Sequence, residues 1–307
     1  MILCLCPNPS IDKYVWLNEF LNGKVNRIEK EQFFPGGKGI HVALGIAELG
    51  EECCILGFWG GGTGQWIRQF CEEKGIKCYG PEVNVDNRTC LTFRSKGNLD
   101  RTELLGIGPC IEEVNLKQYC IEFTKLLNHA SAVCMSGSWP PTSSKIDYSS
   151  FIKVAKGKNV KTFIDCSGKA LISSLEANPY CVHINQQEGY EVFNEESPVK
   201  IANRVIKNCD VAAITCGDKG LYLSDKSHKV AHANCKLENI INTVGCGDAL
   251  MAGLIVASTR NLNIVDTARL SVACGSANCI REELGMFYKE DAMQLMEQTK
   301  ITLLAMN

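Results

Sequence analysis

The 307-residue chain has no apolar run approaching the roughly 18 residues that a membrane-spanning helix needs, so no such helix is expected. Its first residues, Met-Ile-Leu-Cys-Leu-Cys-Pro, are apolar but too short for a secretory signal and lack a basic start. There is no basic block, and the net charge is −2. A clustered positive field is therefore missing, which ranks nucleic acid low as a partner. Histidine is scarce: the five present are not spaced like zinc ligands and suggest no catalytic pair. Cysteine is plentiful at 18, yet no Cys-x-x-Cys occurs. Cys4, Cys6, Cys134, Cys209 and Cys274 are scattered through apolar segments, which argues for small buried hydrophobes in a reducing cytoplasm rather than a disulfide framework. Two nucleotide signatures are also absent. No G-x-x-x-x-G-K-[ST] loop is found, and no G-x-G-x-x-G follows the first apolar run, which tells against a Rossmann-type oxidoreductase.

What is present is a chain with 45% hydrophobic and 21% charged residues, enough for a substantial core. Short apolar runs alternate with longer amphipathic ones. Strands are expected at 2–6, 53–57, 132–135, 162–165, 181–184 and 211–215. Helices are expected at 39–49, 64–74, 116–129, 149–156, 198–207, 248–258 and 264–280. This order predicts an α/β fold with a mostly parallel sheet and helices on both faces. Ligands in such folds bind beyond the carboxyl ends of the strands. Segments 13–35 and 87–105 break the pattern and read as exposed antiparallel strands, the second through a Ser-Lys-Gly-Asn turn into 101–105. They are expected to form a small accessory sheet on a single domain spanning 1–307.

Several polar clusters fall at the predicted strand ends. Thr243-Val-Gly-Cys-Gly-Asp248 runs into the apolar stretch 251–258. A helix start offers unpaired N–H groups and a positive dipole end, so this stretch either holds an anion beside Asp248 or is an ordinary Asp N-cap. Cys246 at that helix start would have a lowered pKa. Pro35-Gly-Gly-Lys38-Gly39 precedes the first long helix, as a ligand cradle or a plain turn, with His41 beside it. Asp12, after Asn8-Pro-Ser, could accept hydrogen bonds from sugar hydroxyls or form an Asx turn. Arg27 and Arg88 are either phosphate partners or solvated. Asn185-Gln-Gln-Glu188 fits magnesium held through water, or a helix capping box. Thr215-Cys-Gly217-Asp-Lys-Gly220 is a glycine turn that could lie against a nucleotide.

Together these pieces resemble the ribokinase-like (PfkB-type) sugar kinase family. The resemblance rests on Asn-Pro-Ser-Ile-Asp at 8–12, Gly-Gly-Lys-Gly at 36–39, Ser-Gly-Ser at 136–138, Asn-x-x-Glu at 185–188, Thr-x-Gly-x-x-Gly at 215–220 and Gly-Cys-Gly-Asp at 245–248. Val25-Asn-Arg27, Arg88-Thr, Thr102-Glu and Gly108-Pro resemble its phosphosugar branch, which contains 1-phosphofructokinase and tagatose-6-phosphate kinase. The resemblance implies a three-layer αβα fold with a β-sheet lid and an ATP- and magnesium-dependent kinase in the cytoplasm. Its first-choice substrate is the phosphorylated ketohexose fructose 1-phosphate, giving fructose 1,6-bisphosphate, with tagatose 6-phosphate as the alternative. A non-catalytic sugar- or nucleotide-binding protein on the same fold is the other class considered. By the same resemblance Asp248 is the general base, and Gly245, Cys246 and Gly247 complete the anion hole. Asp12, Arg27, Gly37, Lys38, His41, Arg88 and Ser136 bind the sugar phosphate. Asn185 and Glu188 organise magnesium and the ATP phosphates, and Thr215, Gly217 and Gly220 line the nucleotide site. The lid is also the expected surface of a homodimer. Three positions depart from the branch pattern: His41 stands for Asn, His183-Ile184 for Lys-Pro, and Cys246 for Ala or Ser.

Overall fold

In the computed structural model, residues 1–305 are described except Asn98, Arg101 and His228. The backbone builds a ten-stranded sheet, ordered by residues 300–305, 229–234, 221–225, 211–215, 181–185, 161–165, 132–136, 2–6, 53–57 and 77–79. From 211–215 to 77–79 every neighbouring pair is parallel; the three strands beyond 211–215 are antiparallel. The parallel strands bury both faces, so they read as unbroken apolar runs such as Ile2–Cys6. Alternate residues serve opposite sides. Ile2, Cys4 and Cys6 join a core with the helices Lys38–Glu48, Cys246–Thr259 and Ile264–Cys279. Leu3 and Leu5 join the other core, with Glu113–Leu127, Tyr148–Gly157 and Pro198–Val205. The result is three layers, helix–sheet–helix.

Most expected elements are found, three strands with identical bounds: Ile2–Cys6, Cys53–Gly57 and Val211–Thr215. The antiparallel edge was not foreseen, nor were the helices Gly168–Glu176 and Lys289–Gln298. All 18 cysteines are free thiols, and all but Cys110, Cys120, Cys246 and Cys279 are buried.

A separate four-stranded sheet is ordered 30–36, 10–16, 88–94 and 103–104. It answers to the two irregular segments of the sequence, but it begins at Ser10 rather than at 13, and the pair joining the two segments, 10–16 with 88–94, is parallel rather than antiparallel. The chain needs only residues 7–9 to leave the large sheet and enter the small one. Asp12 therefore projects from a strand of the small sheet, not from a turn at the strand exit. The hairpin expected in 87–105 is present as an antiparallel pair, Leu91 opposite Leu104. Asn98 of its turn, and Arg101, lie outside the described residues.

The parallel order reverses around 2–6, whose successor in the large sheet is 53–57 on one side while the later strands add on the other. That reversal opens a crevice at the carboxyl edge. Strand register sets Ser136 beside Asp165, Asp165 beside His183, and Asn185 beside Thr215 along this edge.

Candidate active site

The crevice is a cavity of about 1470 Å³. It brings together Asp12, Gly37, Lys38, His41, Arg88, Ser136, Asn185, Glu188, Thr215, Gly217, Gly220 and the whole Gly245–Asp248 turn. A smaller hollow of about 630 Å³ adjoins it at Asn185, Thr215 and Gly217. Of the residues expected at the site from sequence, only Arg27 lies outside the lining; it is exposed on the segment joining 10–16 to 30–36.

The helix Cys246–Thr259 starts two residues before the expected Asp248. Gly245 is its N-cap, and the first helical hydrogen bond runs from the Ala249 N–H to the Gly245 carbonyl. No side chain caps this end. The reading of Asp248 as an N-cap is thereby corrected: it sits in the first helical turn, and its carboxylate turns away from its own helix. Asp248 Oδ2 lies 2.9 Å from His41 Nδ1. Both side chains are buried, which gives the histidines a carboxylate pairing that the sequence did not suggest. Burial by itself would lower the His41 pKa. The hydrogen bond and charge of Asp248, with the charge of Asp12, outweigh it and hold the imidazole above its usual value. The far ring nitrogen, Nε2, is 3.7 Å from Asp12 Oδ2 and has no hydrogen-bond partner among the described residues.

Asp12 is fixed from its own strand, where Ser10 Oγ donates to Oδ1 at 2.6 Å. Its carboxylate lies over Gly36, where a Cβ would fall 2.1 Å from Oδ1, so only glycine leaves it room. Arg88 Nε donates to the Asn8 carbonyl at 3.3 Å and Nη1 to the Gly106 carbonyl at 3.1 Å. Two backbone acceptors thus hold the guanidinium at the cavity wall. Ser136 ends its strand buried, and its Oγ has no partner among the described residues.

Lys38 is engaged differently from the free phosphate ligand expected of it. Its ammonium lies 2.7 Å from Asp165 Oδ1. Asp165 Oδ2 meets His183 Nδ1 at 3.1 Å, and His183 Nε2 meets Thr215 Oγ1 at 3.2 Å. An ionised Asp165 accepts from Nδ1–H, which leaves Nε2 to accept from the Thr215 hydroxyl. This chain runs along the carboxyl edge from Lys38 to Thr215. Burial alone would raise the Asp165 carboxyl, but the Lys38 ammonium and His183 hold it well below the usual range. The charge of Asp165 in turn raises Lys38. Sequence reasoning missed Asp165, although a carboxylate closing the apolar run Thr-Phe-Ile-Asp was a legible signal. It placed His183 among departures and gave it no role.

Asn185 and Glu188 form the capping box that the sequence allowed: the Glu188 N–H donates to Asn185 Oδ1 at 2.8 Å and the Asn185 N–H to Glu188 Oε2 at 2.9 Å. Among the described residues, no group of three or more metal-binding side chains forms an all-protein cage. Cys246 Sγ lies 3.0 Å from Cys279 Sγ. The expected lowered pKa of Cys246 is reversed: its bond to Cys279 raises it, and the bond from Cys246 lowers Cys279.

A family model described as pfkB family carbohydrate kinase matches residues 8–287. The chain belongs to that family. This pfkB-family chain is 30% identical to 1-phosphofructokinase of Bacillus subtilis, over 98% of its own length and 99% of that protein. It is 27% identical to tagatose-6-phosphate kinase of Staphylococcus epidermidis, again over 98% and 99%. The backbone is similar to the crystal structure of ribokinase from Thermotoga maritima, with a TM-score of 0.81 at 17% identity, covering 97% of this chain and 99% of the other. The fold is therefore ribokinase-like, and the protein is a phosphosugar kinase, a phosphotransferase with an alcohol group as acceptor.

Proposed function

We propose that this kinase transfers the γ-phosphoryl group of ATP to the 6-hydroxyl of fructose 1-phosphate. The observation that carries the reading is the coexistence, within one turn, of an uncapped helix N-terminus and a buried carboxylate facing the same cavity. The acceptor hydroxyl gives its proton to Asp248, its oxygen forms a bond to the γ-phosphorus, and the bond from that phosphorus to the ADP oxygen breaks. The amides at 247 and 248 face the charge developing on the phosphoryl oxygens. Asp12 accepts from sugar hydroxyls, while Arg88 and the Lys38 ammonium face the sugar phosphate. Thr215, Gly217 and Gly220 lie toward the nucleotide.

Magnesium fits this donor set in one way only. A Glu188 carboxylate with one oxygen engaged by Asn185, at the open end of the cavity, suits an ion held mainly by phosphates and water. When bound, such an ion neutralises charge on the ATP phosphates.

The test is ADP release against a panel of phosphosugars, with NAD(P)H absorbance followed in parallel. Fructose 1-phosphate is expected to give the highest kcat/KM. A preference for tagatose 6-phosphate reassigns the substrate, and no ADP release with any sugar overturns the kinase reading in favour of a binding protein. Arg88→Leu is expected to raise KM for the phosphosugar about 30-fold, the loss of a charge-assisted hydrogen bond, and to leave KM for ATP within about threefold. An unchanged phosphosugar KM would remove Arg88 from the phosphate subsite.

The small sheet is proposed to close over the sugar and to pair two chains. Phe20, Leu21, Val25, Ile28 and Leu104 are exposed apolar residues on and around it, and Arg27 is carried on the same segment. Sedimentation at micromolar concentration tests the pairing, and a monomeric profile would count against it.

A further inference from the structure

An uncapped helix end three residues from a carboxylate poses a physical problem. A carboxylate in the first turn is attracted to the free N–H groups and the positive dipole end of its own helix. Left alone, Asp248 would bend back onto the free amides at 247 and 248 and occupy the place of the incoming phosphoryl group. It does not do so here, and the only side chain that hydrogen-bonds its carboxylate, among the described residues, is His41. We infer that His41 positions the base by holding Asp248 off its own helix N-terminus through Nδ1–H, and that its Nε2 then faces the acceptor.

Three further observations support this role. His41 is 4% exposed and lies in the first turn of the Lys38–Glu48 helix, so its ring enters the cavity wall from the rigid end of an element. The ring has no room to swing, because a Cβ on Gly285 would fall 2.2 Å from its Cγ. Nε2 is buried, without a partner among the described residues, and too far from Asp12 for a hydrogen bond. A polar atom so placed is complete only when something in the cavity meets it. Nδ1–H donates to Asp248, and Nε2 is left to meet a hydroxyl of the substrate. The substrate class that fits has two neighbouring hydroxyls, one reaching Asp248 and one reaching Nε2.

This inference rests on Asp248 being the base, but the two fail separately. His41→Asn sets an amide N–H near the position of Nδ1, whereas His41→Gln reaches only the Nε2 region. The Asn variant is expected to keep kcat within about fivefold of wild type. The Gln and Ala variants are expected to lose about 100-fold in kcat, the cost of a base displaced by an ångström, with thermal midpoints matching the Asn variant. Equal kcat for Asn and Gln variants would overturn the positioning role while leaving Asp248 untouched as base. A measurement free of substitutions uses ¹⁵N-histidine NMR on the unliganded protein. Measured above the raised imidazole pKa, where the ring is neutral, His41 is expected as the Nδ1–H tautomer, the less common one for free imidazole, and an Nε2–H tautomer would overturn the inference.

Discussion

Asp248→Asn is expected to fold normally and to lose about three orders of magnitude in kcat, the usual scale of a positioned general base. The amide keeps an oxygen for His41 Nδ1–H, so the buried pair retains its hydrogen bond and the thermal midpoint should move little. It cannot take the proton of the acceptor hydroxyl. KM for both substrates should stay within a few-fold, because the anion-binding amides at 247 and 248 belong to the backbone and survive the change. Turnover within tenfold of wild type would sink the base assignment. The reaction would then rest on positioning and electrostatics alone, which phosphoryl transfer tolerates better than most chemistry.

Asp165→Asn should have the largest effect on stability. Asp165 is 2% exposed and is shared by Lys38 and His183. Removing one member of a buried ion pair costs about 3–5 kcal/mol. The Lys38 side chain is 43% exposed, so water recovers part of that loss and the lower end, about 3 kcal/mol, is expected. In a chain of this size that lowers the thermal midpoint by about 6 °C. The sign of the pH dependence follows from the depressed Asp165 pKa. A carboxyl held below its unfolded value stabilises the fold at all pH above that value, about 4, and the contribution is lost as pH falls further. The gap between wild type and Asp165→Asn should therefore be flat from neutrality to about pH 4 and narrow below it. A gap that widens in acid, or no gap at pH 7, would refute the assignment. Loss of the Asp165 charge also frees the Lys38 ammonium, so an altered KM for the phosphosugar should accompany the lower midpoint.

The contrast between these residues shows what the sequence could convey. Asp248 was legible because it lies in a local pattern: a glycine turn, an acid and an apolar helix within one stretch of chain. Asp12, Lys38, Glu188 and Gly217 were likewise read from short clusters at strand ends, and strand–helix alternation placed those ends on one edge. Asp165 carries only the weaker local signal of an acid closing an apolar run. Its importance comes from Lys38, 127 residues away, and from the register that sets it beside His183. The His41 pairing joins residues 207 apart, and nothing near either one announces it. The antiparallel edge 221–225, 229–234 and 300–305 escaped for another reason. Leu-Tyr-Leu-Ser-Asp alternates apolar and polar residues only briefly, and its turns lack the long helical interval that marked the parallel strands.

The glycines behind His41 also set how this corner of the enzyme can vary. A Cβ on Gly245 would fall 2.5 Å from the Gly285 Cα, and one on Gly285 would strike the His41 ring. Positions 41, 245 and 285 are therefore one unit of variation rather than three. Gly285→Ala should be damaging, through a clash with both Cβ and Cγ of His41 and through about 1 kcal/mol of left-handed strain at φ 63°, and only glycine at 41 would remove that clash. Libraries that mutate these sites singly will record them as immutable, and paired libraries should accept a side chain at 285 only where position 41 has become glycine.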